Sequence, residues 1–266
     1  MARLRRLDAE LVRRQLARSR DAAQKLVLER RVLVSGTIAT KPATQVDPAV
    51  AIVVKQDDSD PGYASRGGHK LAGALDHFAE LSVENRRCLD AGASTGGFTD
   101  VLLRRGAEHV VAVDVGYGQL VWALQQDPRV TVLDRTNIRE LTPEQVAPAP
   151  SLVVGDLSFI SLRLVLPALI ACTAPDADLL LMVKPQFEVG RERLGSGGVV
   201  RDPEIRADAV RTVAQTALEL GRGVRGVVAS PLPGPSGNVE YFLWLHAEAP
   251  PLDPAALDTA IAQGPS

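Results

Sequence analysis

The stretch that decides the fold is Leu89-Asp90-Ala91-Gly92-Ala93-Ser94-Thr95-Gly96-Gly97-Phe98-Thr99, which joins an apolar segment to a helix through small residues. A loop with few large side chains lets its backbone approach a ligand closely. The next apolar segment, His109-Val110-Val111-Ala112-Val113-Asp114, is predicted to be a strand that ends in a carboxylate. A carboxylate at this place in a βαβ unit binds ribose hydroxyls. The two segments therefore predict a site for a nucleoside-containing cofactor.

Both NAD and S-adenosylmethionine satisfy that description. The spacing Gly92-Ala93-Ser94 departs from the G-x-G turn that seats a pyrophosphate, and a ligand without phosphates does not need that turn. The loop by itself does not distinguish a dehydrogenase from a methyltransferase.

From Arg66 onward, apolar strands alternate with helices, which predicts a doubly covered parallel sheet and an α/β fold. The seven candidate strands are residues 87–89, 110–113, 130–133, 152–154, 179–183, 226–229 and 241–246. The candidate helices are residues 70–78, 97–104, 119–125, 162–172 and 203–220, the last with Asp202 as its cap.

The N-terminal segment has a different pattern. Helical spacing at 8–16 and 19–28 is followed by strands at 31–37 and 50–54, and then by a polar linker at 56–62. We therefore divide the chain into a small α+β domain with its linker at 1–60, an α/β domain at 61–248 and a flexible Pro/Ala-rich tail at 249–266.

Charge is unevenly distributed between these parts. Residues 1–55 carry 12 Lys/Arg against 5 Asp/Glu, a net charge of +7, although the whole chain has a net charge of -2. A basic head on an acidic body predicts a module that binds a polyanion. The N-terminus has no signal peptide and no apolar run is long enough to span a membrane, so we expect a cytoplasmic protein. Cys88 and Cys172 lie in apolar contexts without ligand spacing, which predicts buried free thiols and no metal site.

Charged residues also end or begin the elements of the α/β domain. Asp156 and Lys184 each follow an apolar strand, and strand carboxyl ends line the ligand crevice of an open sheet. Lys70 lies near the start of a helix, where a cation opposes the helix dipole unless an anion is close by. Glu240 precedes an apolar strand, where it needs a partner.

Five segments together carry a resemblance to a known family. They are Ser65-Arg66-Gly67-Gly68-His69-Lys70, the loop from Leu89 to Thr99, Asp156-Leu157-Ser158-Phe159-Ile160-Ser161, Val183-Lys184-Pro185-Gln186-Phe187-Glu188 and Gly237-Asn238-Val239-Glu240. The chain resembles the TlyA family of ribosomal RNA (cytidine-2'-O)-methyltransferases, also labelled hemolysins, over nearly everything from Arg3 to His246. That family combines an S4 RNA-binding domain with an FtsJ-like, Rossmann-like class I methyltransferase domain.

The resemblance implies roles for particular residues. Lys70, Asp156, Lys184 and Glu240 correspond to the catalytic Lys-Asp-Lys-Glu tetrad of such 2'-O-methyltransferases. The cofactor is then S-adenosylmethionine, and the implied cofactor residues are Asp90, Gly92, Ser94, Thr95, Gly96, Gly97, Phe98, Asp114, Asn137 and Asp156.

The family also implies cytidines of small- and large-subunit rRNA as substrates, with no membrane and no obligate protein partner. Phosphate contacts are then expected from the basic head, through Arg5, Arg6, Arg13, Arg18, Arg20, Lys25, Arg30 and Arg31.

Two features depart from the family pattern. Arg30 stands where the S4 helix pair normally ends on a glycine, and a left-handed conformation there would cost on the order of 1 kcal/mol. The segment Pro61-Gly62-Tyr63-Ala64 lacks the Arg and Trp associated with relatives.

The alternatives are an NAD-dependent oxidoreductase, favoured by Asp114 but not by the missing G-x-G turn, and a non-catalytic RNA-binding or hemolysin-like protein, in which the tetrad would be a coincidence.

Overall fold

The computed structural model of the chain describes residues 4–17, 19–55, 61–234 and 236–265. Backbone contacts divide the chain into two compact units, Met1–Gly62 and Tyr63–Ser266.

In its described residues, the first unit contains two short helices and five short strands. The elements are β1 (Arg5–Arg6), α1 (Leu7–Arg13), α2 (Arg20–Leu28), β2 (Val32–Val34), β3 (Thr37–Ile38), β4 (Gln45–Val46) and β5 (Ile52–Val54). Strand β2 lies between β3 and β5 in an antiparallel sheet, and β1 pairs with β4. Leu7, Leu11 and Val27 are fully buried between these elements. The predicted helix pair and the strands near 31–37 and 50–54 are confirmed.

The end of α2 has a left-handed residue at the position where the S4 pattern has a glycine. Arg30 has φ +57°, directly after α2, and its amide donates to the Val27 carbonyl at 3.0 Å. The Arg31 amide donates to the Leu26 carbonyl at 3.0 Å. These bonds satisfy the last carbonyls of α2, the role that a glycine usually allows at no steric cost.

The second unit is built on a seven-stranded sheet, in the order β11-β12-β10-β9-β6-β7-β8. Its strands are β6 (Arg87–Ala91), β7 (His109–Val113), β8 (Val130–Leu133), β9 (Leu152–Gly155), β10 (Asp178–Val183), β11 (Gly223–Ala229) and β12 (Tyr241–His246). All seven predicted strands are confirmed. Strand β12 runs antiparallel to both of its neighbours, so its connection from β11 needs no crossover helix.

Helices cover both faces of this sheet. They are α3 (Arg66–His77), α4 (Gly97–Arg104), α5 (Trp122–Gln125), α6 (Pro143–Val146), α7 (Leu166–Ala171), α8 (Pro185–Glu188), α9 (Pro203–Glu219) and α10 (Pro254–Ala262). Alternate residues of β10 enter opposite cores: Leu179 and Leu181 pack on the side of α7 and α9, whereas Leu180 and Met182 pack on the side of α3 and α4.

Three helix predictions differ from the structure. Helix α3 begins at Arg66, where the Ser65 hydroxyl accepts from the Gly67 amide at 3.2 Å, so that Lys70 lies one turn inside it. The predicted helix 162–172 is split into a 3-10 turn, Leu162–Leu164, and α7, because Pro167 fits only the first turn of a helix. Helix α5 covers only Trp122–Gln125 of the predicted range 119–125.

The prediction of a flexible tail from 249 onward is wrong. The chain forms α10 there, with the Asp253 side chain accepting from the Ala255 amide at 3.0 Å. Leu257 is 1% exposed and packs with Ala260 in the core beside α9. Apolar residues spaced for one helix face therefore outweigh the Pro/Ala-rich composition of the segment. Both cysteines are buried free thiols, as predicted. None of the helices in the described ranges has the length and apolarity that crossing a bilayer requires.

Candidate functional site

The glycine-rich loop after β6 is held against the end of β7. The amides of Gly92 and Ala93 both donate to the Val113 carbonyl, at 2.8 and 3.1 Å. Gly92 has φ +86° and Gly96 has φ +97°, so the turn uses conformations that glycine adopts without strain. Gly96 is then the N-cap of α4. The loop therefore leads directly from a buried strand into a helix N-terminus.

Close packing explains why glycine is needed at two of these positions. A Cβ at Gly92 would lie 3.0 Å from the Asp156 carbonyl oxygen and 3.1 Å from the Leu157 side chain. A Cβ at Gly97 would collide with the Ser65 hydroxyl and lie 2.8 Å from the Gly68 amide nitrogen. The loop is thus in contact with the segment after β9 on one side and with the start of α3 on the other.

Two adjoining cavities open at the carboxyl end of the sheet. A cavity of about 260 Å³ is lined by Lys70, Phe98 and Lys184, and one of about 420 Å³ by Asp114, Asn137 and Phe159. Both cavities are lined by Gly92, Ser94, Asp156 and Ser158. The two cavities therefore form neighbouring parts of one crevice, in the location where open α/β sheets bind ligands.

Asp114 and Asn137 are oriented by the backbone around them. The Asp114 carboxylate accepts from the Ser94 amide at 2.8 Å and from the Gly116 amide at 2.7 Å. The Asn137 side chain accepts from the Arg139 amide at 3.1 Å. The structure therefore brings both predicted cofactor residues to the larger cavity. Of the other predicted cofactor residues, Asp90, Thr95 and Gly96 line neither cavity.

Lys184 forms a polar cluster with the segment after β9. Its ammonium nitrogen lies 2.5 Å from Asp156 Oδ1 and donates to Ser158 Oγ at 2.7 Å. The side chain is only 9% exposed, so its aliphatic stem is buried. Ser158 was not predicted as a partner of Lys184, although its position two residues after Asp156 places it at the same strand end.

A second ion pair lies beside the first. Lys70 Nζ is 2.5 Å from Glu240 Oε2, and the two side chains are 7% and 1% exposed. Lys70 lines the same cavity as Lys184 and Asp156. All four predicted tetrad residues are therefore in one region, in two Lys–carboxylate pairs.

Asp90 is fully buried at the end of β6. Thr99 Oγ1 donates to its Oδ2 at 2.7 Å, whereas Oδ1 has no hydrogen-bond partner in the described part of the chain. Burial is the main cause that raises the pKa of this carboxyl to about 7; the hydrogen bonds from Thr99 oppose the rise, and the charges of Asp156 and Asp114 add to it.

The basic residues predicted to bind RNA all belong to the first unit. Arg6 and Arg20 pair with Asp8, and Arg13 pairs with Glu10. Lys25 and Arg31 lie 3.5 and 3.6 Å from Glu29, and Arg5 and Arg30 are exposed. Arg18 lies outside the described residues.

This fold and site define a methyltransferase of the Rossmann-like class: a seven-stranded sheet with one antiparallel strand, and a glycine-rich loop beside two Lys–carboxylate pairs. The FtsJ-like methyltransferase model matches residues 63–247 and the S4 domain model matches residues 5–52. The 16S/23S rRNA (cytidine-2'-O)-methyltransferase TlyA of Mycobacterium tuberculosis is 58% identical, over 100% of both chains. The chain therefore belongs to the FtsJ-like methyltransferases and, within them, to the TlyA family.

Solved structures agree with this assignment. A hemolysin-named protein from Streptococcus thermophilus has a TM-score of 0.77 at 38% identity, covering 99% of this chain and 96% of that one. An S-adenosylmethionine-dependent methyltransferase from Listeria monocytogenes has a TM-score of 0.50 at 17% identity, covering 66% and 99%, and shares the fold alone.

Proposed function

We propose that this enzyme transfers a methyl group from S-adenosylmethionine to the ribose 2'-hydroxyl of cytidines in 16S and 23S rRNA. The observation that carries the proposal is the Lys184–Asp156 pair, in which Lys184 lines the smaller cavity and Asp156 lines both. The name of the M. tuberculosis relative, which matches over the full chain, supplies the substrate. Because its substrate is rRNA, we place the enzyme in the cytoplasm.

The residues of the crevice fit S-adenosylmethionine. The larger cavity offers the Asp114 carboxylate for ribose hydroxyls and the region of Asn137 and Ile138 for an adenine. Asp90 lines neither cavity, but it lies at the carboxyl end of β6 next to the loop, and its Oδ1, which has no partner in the described part of the chain, suits a hydrogen-bond donor from the methionine half of the cofactor. Gly92 lies so close to the Asp156 backbone that a residue with a Cβ would not fit there, so no side chain of the loop occupies this part of the crevice. The sulfonium of S-adenosylmethionine supplies a methyl group that is already activated for transfer.

The protein must then align the substrate hydroxyl and manage its proton. As an ammonium, Lys184 Nζ orients the hydroxyl oxygen by donating to it; only as a neutral amine does it accept the proton of the hydroxyl. Asp156 and Ser158 fix the position of that nitrogen. Lys70, held by Glu240, positions the substrate ribose in the same cavity. The remaining cofactor residues, Ser94, Thr95, Gly96, Gly97 and Phe98, shape the loop that faces the methionine half.

RNA recognition falls to the N-terminal domain, for which we retain the boundaries 1–60; the α/β domain that follows it includes α10. Phosphate contacts come from Arg5, Arg6, Arg13, Arg18, Arg20, Lys25, Arg30 and Arg31. Such contacts give affinity and a steep salt dependence with little sequence reading. Access to a stacked ribose requires that the target cytidine is extruded from its helix.

The decisive experiment maps 2'-O-methyl groups on rRNA incubated with the wild-type protein or with Lys184→Ala. We expect cytidine methylation with the wild type and at least about a hundredfold slower transfer with the variant, the range found for positioned acid–base groups. Binding of S-adenosylhomocysteine, measured by thermal shift, should persist in the variant. Near-normal transfer by Lys184→Ala would refute the role of Lys184.

The same thermal-shift measurement tests the oxidoreductase alternative. S-adenosylhomocysteine should raise the melting temperature and NAD should not, because only a ligand that binds the native state stabilises it. Stabilisation by NAD alone would favour a dehydrogenase.

A further inference from the structure

Two acidic side chains lie buried beneath the arginines of the first unit. Asp8 and Glu10 are both 0% exposed, although the surface above them is basic. Asp8 accepts two hydrogen bonds from Arg6, Nε to Oδ1 at 3.1 Å and Nη2 to Oδ2 at 2.7 Å. The same Oδ2 accepts from Arg20 Nε at 3.3 Å and from Gln24 Nε2 at 3.2 Å. One carboxylate thus holds two arginines side by side.

Glu10 holds a second pair of arginines in the same way. Arg13 donates from Nε to Oε2 at 2.8 Å and from Nη2 to Oε1 at 2.6 Å, and Arg14 Nε donates to Oε1 at 2.8 Å. Arg14 also donates to the backbone carbonyls of Val50 and Pro48, both at 2.7 Å. Its guanidinium is therefore engaged within the fold on each of its nitrogens.

Arg6, Arg13 and Arg20 differ from Arg14 in keeping donors for an external acceptor. Their side chains are 41%, 47% and 57% exposed, compared with 22% for Arg14. A guanidinium has five N–H donors, and the two-point bonds of Arg6 and Arg13 use two each. Among the residues that the structure describes, Nη1 of each has no partner. A two-point bond also fixes the orientation of the planar group.

Both acids are ionised at neutral pH. The hydrogen bonds from Arg13 lower the pKa of Glu10 to about 2, and those from Arg6 hold the pKa of Asp8 well below its usual range. Removing either charge would raise the net positive charge of the unit. Electrostatics alone therefore predicts tighter binding of a polyanion when Asp8 or Glu10 is neutralised.

We infer that Asp8 and Glu10 are positioning residues for RNA, holding Arg6, Arg20 and Arg13 with their outer donors presented to phosphates. The inference rests on the proposed binding of rRNA by this unit. It predicts the opposite of simple electrostatics, since an arginine freed from its carboxylate gains charge for the surface but loses the orientation that phosphate recognition requires.

The test measures binding of the full-length protein to deproteinised 16S and 23S rRNA by filter retention over a series of KCl concentrations. We expect Asp8→Asn and Glu10→Gln each to weaken binding and to reduce the salt slope by about one, the change expected for a lost phosphate contact. Asp21→Asn is the matched control, because Asp21 is exposed and pairs with none of the arginines that the structure describes. This variant should bind as tightly as the wild type or tighter. Binding by Asp8→Asn and Glu10→Gln that equals or exceeds that of the wild type overturns the inference.

A second set of variants keeps the test decisive if a neutralised acid prevents folding. Arg6→Lys and Arg13→Lys preserve the charge, but a lysine cannot make the two-point bond to a carboxylate. They should lose nearly as much RNA affinity as Arg6→Ala and Arg13→Ala. Full affinity in the lysine variants, with loss in the alanine variants, overturns the inference and leaves the proposed function intact. Full affinity in the alanine variants overturns both the inference and the proposed RNA surface.

Discussion

Lys70 and Glu240 are 170 positions apart in the sequence, and their side chains form a buried ion pair with 2.5 Å between Nζ and Oε2. The pair joins α3 to the start of β12, at the antiparallel end of the sheet. Removing one partner of such a pair leaves an uncompensated charge in the interior, whereas removing both leaves none. Stability and catalysis can therefore be separated at this pair.

Lys70→Met is expected to lower the free energy of unfolding by about 3 kcal/mol, because Glu240 stays buried without its partner. The double variant Lys70→Met/Glu240→Leu should recover most of that loss. Neither protein should methylate rRNA, since both lack the group that positions the substrate ribose. Urea unfolding and a methyl-transfer assay measure the two effects. Normal methyl transfer by the double variant would show that the Lys70–Glu240 pair takes no part in catalysis.

Asp90 should make the stability of the protein depend on pH. Its pKa is raised from 3.8 to about 7 in the folded protein by burial, so the folded state binds this proton more tightly than the unfolded state does. The wild type should lose stability as pH rises from about 4 through about 7, by up to 1.36 kcal/mol per pH unit from this group.

Asp90→Asn removes that titration, so the stability difference, variant minus wild type, should increase across this range and level off above about pH 7. Urea unfolding at several pH values measures it. Asp127→Asn is the control: the Arg129 hydrogen bond lowers the pKa of Asp127, so the corresponding difference should be flat over the same range. A flat difference for Asp90→Asn would mean that its carboxyl titrates normally.

The strands could be predicted because their signals are local, whereas the four tetrad positions came from the resemblance to a known family. Apolar runs define β6, β7, β9 and β10, and the charges of Asp156 and Lys184 directly follow two of them. Strand order and the direction of β12 depend on how distant segments pair, which the spacing of apolar residues does not encode.

The side-chain hydrogen bonds and ion pairs could also not be predicted from the sequence. Ser158 reaches Lys184, and Asp8 reaches Arg20, only through the fold, and an arginine-rich segment looks equally basic with or without buried acids beneath it. The prediction of a flexible tail is wrong for a different reason: its Pro/Ala-rich composition says less than the spacing of Leu257 and Ala260, which lie on one helical face.

Gly92→Ala is expected to weaken cofactor binding. The new Cβ would lie 3.0 Å from the Asp156 carbonyl oxygen, so the segment that carries Asp156 must shift. We expect about tenfold weaker binding of S-adenosylhomocysteine, which corresponds to about 1.4 kcal/mol, by calorimetric titration. Gly221→Ala is the matched control, because Gly221 also has a positive φ, +80°, but has open space around its Cβ position. That variant should lose about 1 kcal/mol of stability through strain and keep its affinity. Equal affinities in both variants would show that the close contact at Gly92 does not matter for the cofactor.

Arg30→Gly should change stability and RNA binding in opposite directions. Arg30 is left-handed at the end of α2 with φ +57°, and glycine adopts that conformation without a Cβ penalty. We expect the first unit to be stabilised by about 0.5–1 kcal/mol. RNA affinity should fall, with a salt slope lower by about one, because an exposed phosphate contact is lost. Arg30→Asn serves as the control, since asparagine tolerates the left-handed region and also lacks the charge. If Arg30→Gly and Arg30→Asn both gained stability while the salt slope stayed at the wild-type value, Arg30 would be a strained residue without a contact to RNA.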